Sequence, residues 1–331
     1  MSALPSGPID MHAHYVARSS LGIPGVSMEE RGDEIALTVQ GESHGTLPKG
    51  LFDPATQLAD MHAAGVAHAV ISPPPFLFCY DVERGFGAEF AAAQNAGIAA
   101  LVREHPESFS GLGTVPLQDP ELAARMLGEA VEDLGLAGVE IGTNVAGRDL
   151  DDPMFEPFWR RAAELGVLVF IHPSDVRSVP GDAPYYLRNL NGNLIETGYC
   201  LSRLVYSGLL ARYPSLRILG AHGGGFLPYT VGRLDHGYRV RPECAAALEQ
   251  PPSAYFHQLY FDTITHGAPA LRYLVDLVGA DHVALGSDYP FDMGDPRPVG
   301  QVEALADPAA REQLASSTPR HLLRHAAGAG A

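Results

Sequence analysis

Short apolar runs alternate with helix-length segments along nearly the whole chain. The runs fall at 9–14 (IDMHAH), 66–72 (VAHAVIS), 109–117 (FSGLGTVPL), 137–142 (AGVEIG), 167–172 (VLVFIH), 216–222 (LRILGAH), 259–262 (LYFD) and 283–288 (VALGSD). The run 167–172 is nearly all apolar, as a strand is when both of its faces are covered. Asp53-Pro54, Asp119-Pro120 and Asp152-Pro153 each pair an N-cap residue with proline at the first helical position, and an alanine-rich helix is expected over 83–104. About eight strand–helix units give an α/β chain with the count of a (β/α)₈ barrel. An open doubly wound sheet is the competitor, but its GxGxxG turn after the first strand is absent.

The 331 residues form one barrel domain, 1–331, interrupted by an insertion at 15–50. Within the insertion, 34–40 (EIALTVQ) alternates like a strand and Gly41 turns it into a hairpin. An insertion this long beside a first strand covers an active site or makes a subunit contact. With 46% hydrophobic and 18% charged residues, the chain has ample core. The net charge of -17, with no block of Lys or Arg, speaks against nucleic acid and anionic membrane as partners. Cys79, Cys200 and Cys244 are far apart and odd in number, which suits a reducing cytoplasm. No leader and no apolar run long enough to span a bilayer is read in the sequence.

Chemistry collects at the strand ends. His12 and His14 are two apart on the first strand and project from one face. His172 ends the fifth strand, His222 the sixth and Asp288 the eighth. In a parallel barrel these ends open at one mouth, where active sites lie. Imidazole and carboxylate together suit Zn²⁺ with open positions for water and substrate. A histidine held off the metal can act as general base. Gly223-Gly224-Gly225 lets backbone approach the site and opens the next helix. No GxSxG elbow or Walker A loop is present, and His62, His68, His105, His236, His257, His266 and His282 read as helix, loop or packing residues.

IDMHAH, the IHP of His172, AHGGG followed by TVGRLDHG, and GSDYPF around Asp288 together resemble the amidohydrolase superfamily. Within it they are similar to the family of 2-amino-3-carboxymuconate-6-semialdehyde decarboxylase, and GLGTVPL and VEIGT extend the match nearly end to end. The resemblance implies a homodimeric (β/α)₈ barrel with one catalytic metal, Zn²⁺ or alternatively Mn²⁺. It implies His12, His14, His172 and Asp288 as ligands and His222 as the acid/base residue that activates a metal-bound water. Arg233 matches an arginine that reaches a substrate carboxylate from the neighbouring subunit; a surface pairing with Asp235 is the alternative. Phe291 is implied as a pocket wall. Lys49 lies next to the place of a family arginine, and Asn189 lies in the stretch where the family carries tryptophan; the sole tryptophan, Trp159, belongs to the core of a helix. The implied activity is metal-dependent, non-oxidative decarboxylation of a carboxylated muconate semialdehyde or related aromatic acid. In a hydroxybenzoate-type variant Asp288 would protonate the ring carbon. A hydrolase or hydratase on a small carboxylated substrate is the alternative, because a barrel and a metal do not fix the reaction. A noncatalytic relative would have lost ligands, and none is lost here.

Overall fold

The structure, a computed structural model, describes residues 4–324; the domain expected over 1–331 passes these limits at both ends. Among these residues eight parallel strands follow in order: Ile9–His14, His68–Ser72, Phe109–Gly111, Gly138–Gly142, Leu168–His172, Arg217–Gly220, Leu259–Asp262 and Val283–Ala284. The first three pair as one ladder and the last five as another. A bridge between Gly113 and Val139 joins the third strand to the fourth. A bridge between Ala13 and Tyr289, with the Met11 N–H donating to the Leu285 carbonyl at 2.8 Å, closes the eighth onto the first. The result is the (β/α)₈ barrel.

Alternation along the strands sorts their side chains into two layers. Ile9, Met11, Val70, Leu112, Leu168, Phe170 and Leu219 fill the lumen, closed at one end by Leu322 and Leu323 of the helix Thr318–Leu323. Val139, Ile141, Val169, Ile171 and Ile218 face outward onto the helices, against Phe155, Phe158 and Trp159. Trp159 is buried on the helix Glu156–Leu165, and its Nε1–H donates to the Leu150 carbonyl at 2.8 Å. Trp159→Ala is therefore expected to cost about 3–5 kcal/mol, read as a lower urea midpoint. A midpoint within experimental error of wild type would remove it from the core.

The third and eighth strands are shorter than the runs 109–117 and 283–288. Past Gly111 and Ala284 the chain leaves the ladder to build the barrel mouth. Asp119 and Asp152 cap their helices through the Leu122 and Met154 amides at 3.2 and 2.9 Å. Asp53 occupies the cap position before Pro54, but its carboxylate takes the Thr56 hydroxyl at 2.6 Å rather than a backbone amide.

The insertion carries more structure than a hairpin: Val26–Arg31, Glu34–Val39 and Glu42–Pro48 form a three-stranded antiparallel sheet. Ile35, Leu37, Val39 and Leu47 pack it onto Leu51, Phe52, Leu77 and Phe90. No helix among the described residues is long and apolar enough to cross a membrane.

Candidate metal centre

Regular alternation would not place both Met11 and His12 inside the barrel. The first strand slips register against the second between Asp10 and Ala13, which marks a bulge. Ile9 and Met11 thus face the lumen, and beyond the bulge His12 and His14 turn inward while Ala13 packs outward. Asp10 holds this kink: its carboxylate accepts the His12 amide at 2.9 Å and the Ser287 amide at 3.0 Å.

The turned histidines meet. His12 Nε2 and His14 Nε2 are 3.2 Å apart and lie 3.4 and 3.2 Å from Asp288 Oδ1. One donor atom from each of His12, His14, His172 and Asp288 lies within 4.8 Å of the others, and all four residues are buried. His172 Nδ1–H donates to the Pro173 carbonyl at 2.9 Å, which leaves its buried Nε2 without a hydrogen-bond partner. Burial, with the surrounding histidines, holds His172 well below the usual range, and burial pushes His14 down to about 4. Neutral imidazoles with a free nitrogen lone pair are the metal-binding form. Burial opposes charge on Asp288 too, yet His12, His14 and His222 around it hold its carboxyl well below the carboxylate range. Three convergent imidazole nitrogens and one carboxylate oxygen, with His172 Nε2 left without a partner, fit a divalent cation.

His222 stands beside this group. Its ring centroid is 4.9 Å from that of His172, and its Nε2 faces Asp288 Oδ2 at 3.4 Å. His222 and Asp288 both adopt left-handed backbone, φ 54° and 59°, which non-glycine residues keep only where surroundings impose it. The buried Asp262 imposes it on His222, accepting the His222 and Gly223 amides at 2.9 and 2.8 Å. The same carboxylate accepts His12 Nδ1–H at 2.8 Å. One residue thus fixes a candidate ligand and the candidate base together.

A family model described as amidohydrolase matches residues 9–325. The chain belongs to the amidohydrolase family. The 2-amino-3-carboxymuconate-6-semialdehyde decarboxylase of Dictyostelium discoideum is 32% identical to it over 308 residues, 90% of this chain and 86% of that one. The gamma-resorcylate decarboxylase of Polaromonas is 31% identical over 72% of this chain and 77% of its own. The crystal structure of 5-carboxyvanillate decarboxylase LigW from Sphingomonas paucimobilis superposes with a TM-score of 0.78 at 24% identity, covering 96% and 99% of the two chains. That likeness shows the shared barrel.

In this amidohydrolase a cavity of about 380 Å³ opens beside the centre, with His222 and Asp288 in its wall and Asn189, Asn193, Tyr229 and Tyr273 around it. Asn189 is thus at the cavity. Phe291 packs on His14, with centroids 5.3 Å apart, and lines a neighbouring cavity behind the first and eighth strands. It also touches Phe76, which tilts against His44 of the insertion, so a run of aromatic contacts links the inserted sheet to the centre. Lys49 is exposed, 4.0 Å from Asp53, and outside the lining of the first cavity. Arg233 is exposed on the helix Leu227–Val240 without an ion pair among the described residues; Asp235 instead accepts the Ser253 amide and hydroxyl at 2.9 and 2.7 Å. His266, read above as a loop or packing residue, lines the cavity from a left-handed turn.

Sequence reasoning passed over Asp10, Asp262 and Glu140. The signal was an acid inside or ending an apolar run, in IDMHAH, LYFD and VEIG. Gly223, Gly224 and Gly225 all have positive φ, and they form a tight turn before the helix starts at Leu227. A methyl group on Gly225 would overlap the Leu194 carbonyl oxygen, which is backbone and cannot rotate away. Gly225→Ala is expected to lower stability by at least about 1–3 kcal/mol in thermal unfolding; an unchanged melting temperature would show that the turn relaxes freely.

Proposed function

We propose that this amidohydrolase is a metal-dependent, non-oxidative decarboxylase of a muconate-type or aromatic carboxylic acid, with Zn²⁺ resident and Mn²⁺ the alternative. The observation that carries the reading is the convergence of His12, His14, His172 and Asp288, with His222 alongside, next to a cavity sized for a single-ring acid whose wall holds His222 and Asp288. The names of the similar decarboxylases support it.

When bound, a divalent ion supplies positive charge against which a substrate carboxylate, carbonyl or phenolate is polarised. The carbon–carbon bond to the carboxylate breaks, CO₂ leaves, and the electron pair stays on carbon, which then takes a proton. His222 Nε2, facing Asp288 Oδ2 at 3.4 Å, holds and moves that proton. In a hydroxybenzoate-type substrate Asp288 serves as the acid to the ring carbon. Asn189 orients polar substituents from the cavity wall, while Phe291 keeps His14 packed and dry. Dialysis against a strong chelator is expected to abolish turnover, and added Zn²⁺ or Mn²⁺ to restore it. Full activity of verified ion-free protein would contradict the reading.

The working form is a homodimer in which Arg233 reaches the substrate carboxylate across the interface. Its support is Arg233, exposed and without an ion pair among the described residues, together with the exposed Tyr185, Tyr186 and Tyr229. Arg233→Ala is expected to lower kcat/KM by roughly 10–100-fold through KM, the worth of a charge-assisted hydrogen bond. Wild-type kinetics would contradict the contact, and a monomer in analytical ultracentrifugation would contradict the assembly. The cytoplasm is the matching compartment, since Cys79, Cys200 and Cys244 are free thiols.

A further inference from the structure

The three histidines of the centre differ in how their second ring nitrogen is held. His12 Nδ1–H donates to Asp262 and His172 Nδ1–H to the Pro173 carbonyl. His14 Nδ1 is buried with no hydrogen-bond partner. The group facing it is Glu140 Oε2, 3.8 Å away. Glu140 is completely buried in the fourth strand, and both of its carboxylate oxygens lack partners. Its strand register sets it beside Phe170, one layer below Gly142 and His172. Burial pushes its carboxyl up to about 8. An unpaired carboxylate inside a barrel is a costly group that glutamine or leucine would replace at less expense to folding.

We propose that Glu140 is a positioning residue for His14: it accepts Nδ1–H and presents the Nε2 lone pair to a divalent cation. The inference rests on the metal-centre reading and not on the identity of the reaction. Asp262 already does this for His12, so Glu140 completes a set in which each candidate histidine ligand has its own acceptor. Closing the gap to hydrogen-bond length takes a movement on the order of 1 Å.

The test compares wild type, Glu140→Gln and Glu140→Leu, each stripped with chelator. Zn²⁺ and Co²⁺ affinities are measured by competition with a chromophoric chelator, the Co²⁺ absorption spectrum is recorded, and melting is followed with and without metal. Glu140→Leu is expected to bind metal roughly 10–100-fold more weakly, with an altered Co²⁺ spectrum. Glu140→Gln, whose amide oxygen still accepts a hydrogen bond, is expected to fall between. Both variants are expected to melt higher than wild type without metal and to gain less on loading. A packing role alone would shift both melting temperatures equally and leave affinity and spectrum unchanged, and that result overturns the proposal. Should Glu140→Leu not fold, wild-type affinity in the isosteric Glu140→Gln overturns it. Wild-type protein that binds no divalent ion would overturn the metal centre itself, a separate outcome seen before any variant is compared.

Discussion

His12→Ala is expected to give a folded barrel that neither retains a divalent ion nor turns over substrate. His12 contributes a nitrogen to the four-donor group and is tied through its other nitrogen to Asp262. Its loss therefore removes a candidate ligand and also leaves a buried carboxylate short of a partner. Removing a merely supporting group costs roughly 10–100-fold in metal affinity, and removal of a ligand exceeds that. Metal analysis after dialysis, with circular dichroism to confirm the fold, checks the outcome. Wild-type metal stoichiometry in His12→Ala would take this residue out of the ligand set.

His222→Ala separates binding from chemistry. The residue stands beside the four donors, so the variant is expected to keep its metal. Turnover should fall by about 10²–10⁴-fold, the usual worth of a positioned acid or base. The pH profile of the residual activity should lose the limb contributed by the imidazole. A His222→Ala enzyme with full activity would end the acid/base assignment, and one without metal would make His222 a fifth ligand.

That these two residues would meet was legible because strand ends in a parallel barrel share one mouth, so linear order converts directly into proximity. The apolar strand 167–172 and the Asp-Pro helix starts were legible for similarly local reasons. What stayed hidden depends on partners distant in sequence or on a break in periodicity. The strand Val26–Arg31 alternates only over Val26–Glu29 and then runs polar and exposed, too short a pattern to read as a strand. The bulge between Asp10 and Ala13 leaves no mark in a sequence that looks regularly alternating, yet it aims His12 at the centre. Asp262 gains its importance only when the seventh strand sets it against His12 and the turn after the sixth. His266 reaches the cavity through a left-handed backbone turn at a non-glycine residue, which composition does not announce.

Release of ¹³CO₂ from carboxyl-labelled substrates tests the central claim most directly. Zn²⁺- and Mn²⁺-loaded protein would be given 2-amino-3-carboxymuconate semialdehyde and a series of hydroxybenzoates, with ultraviolet spectra recorded in parallel. The account predicts stoichiometric ¹³CO₂ from at least one of them, absent from stripped protein and strongly reduced in His222→Ala. Metal-loaded protein that releases no CO₂ from any of them, yet hydrolyses a lactone or amide or hydrates an alkene, would contradict decarboxylation and assign the same centre to hydrolytic or hydratase chemistry.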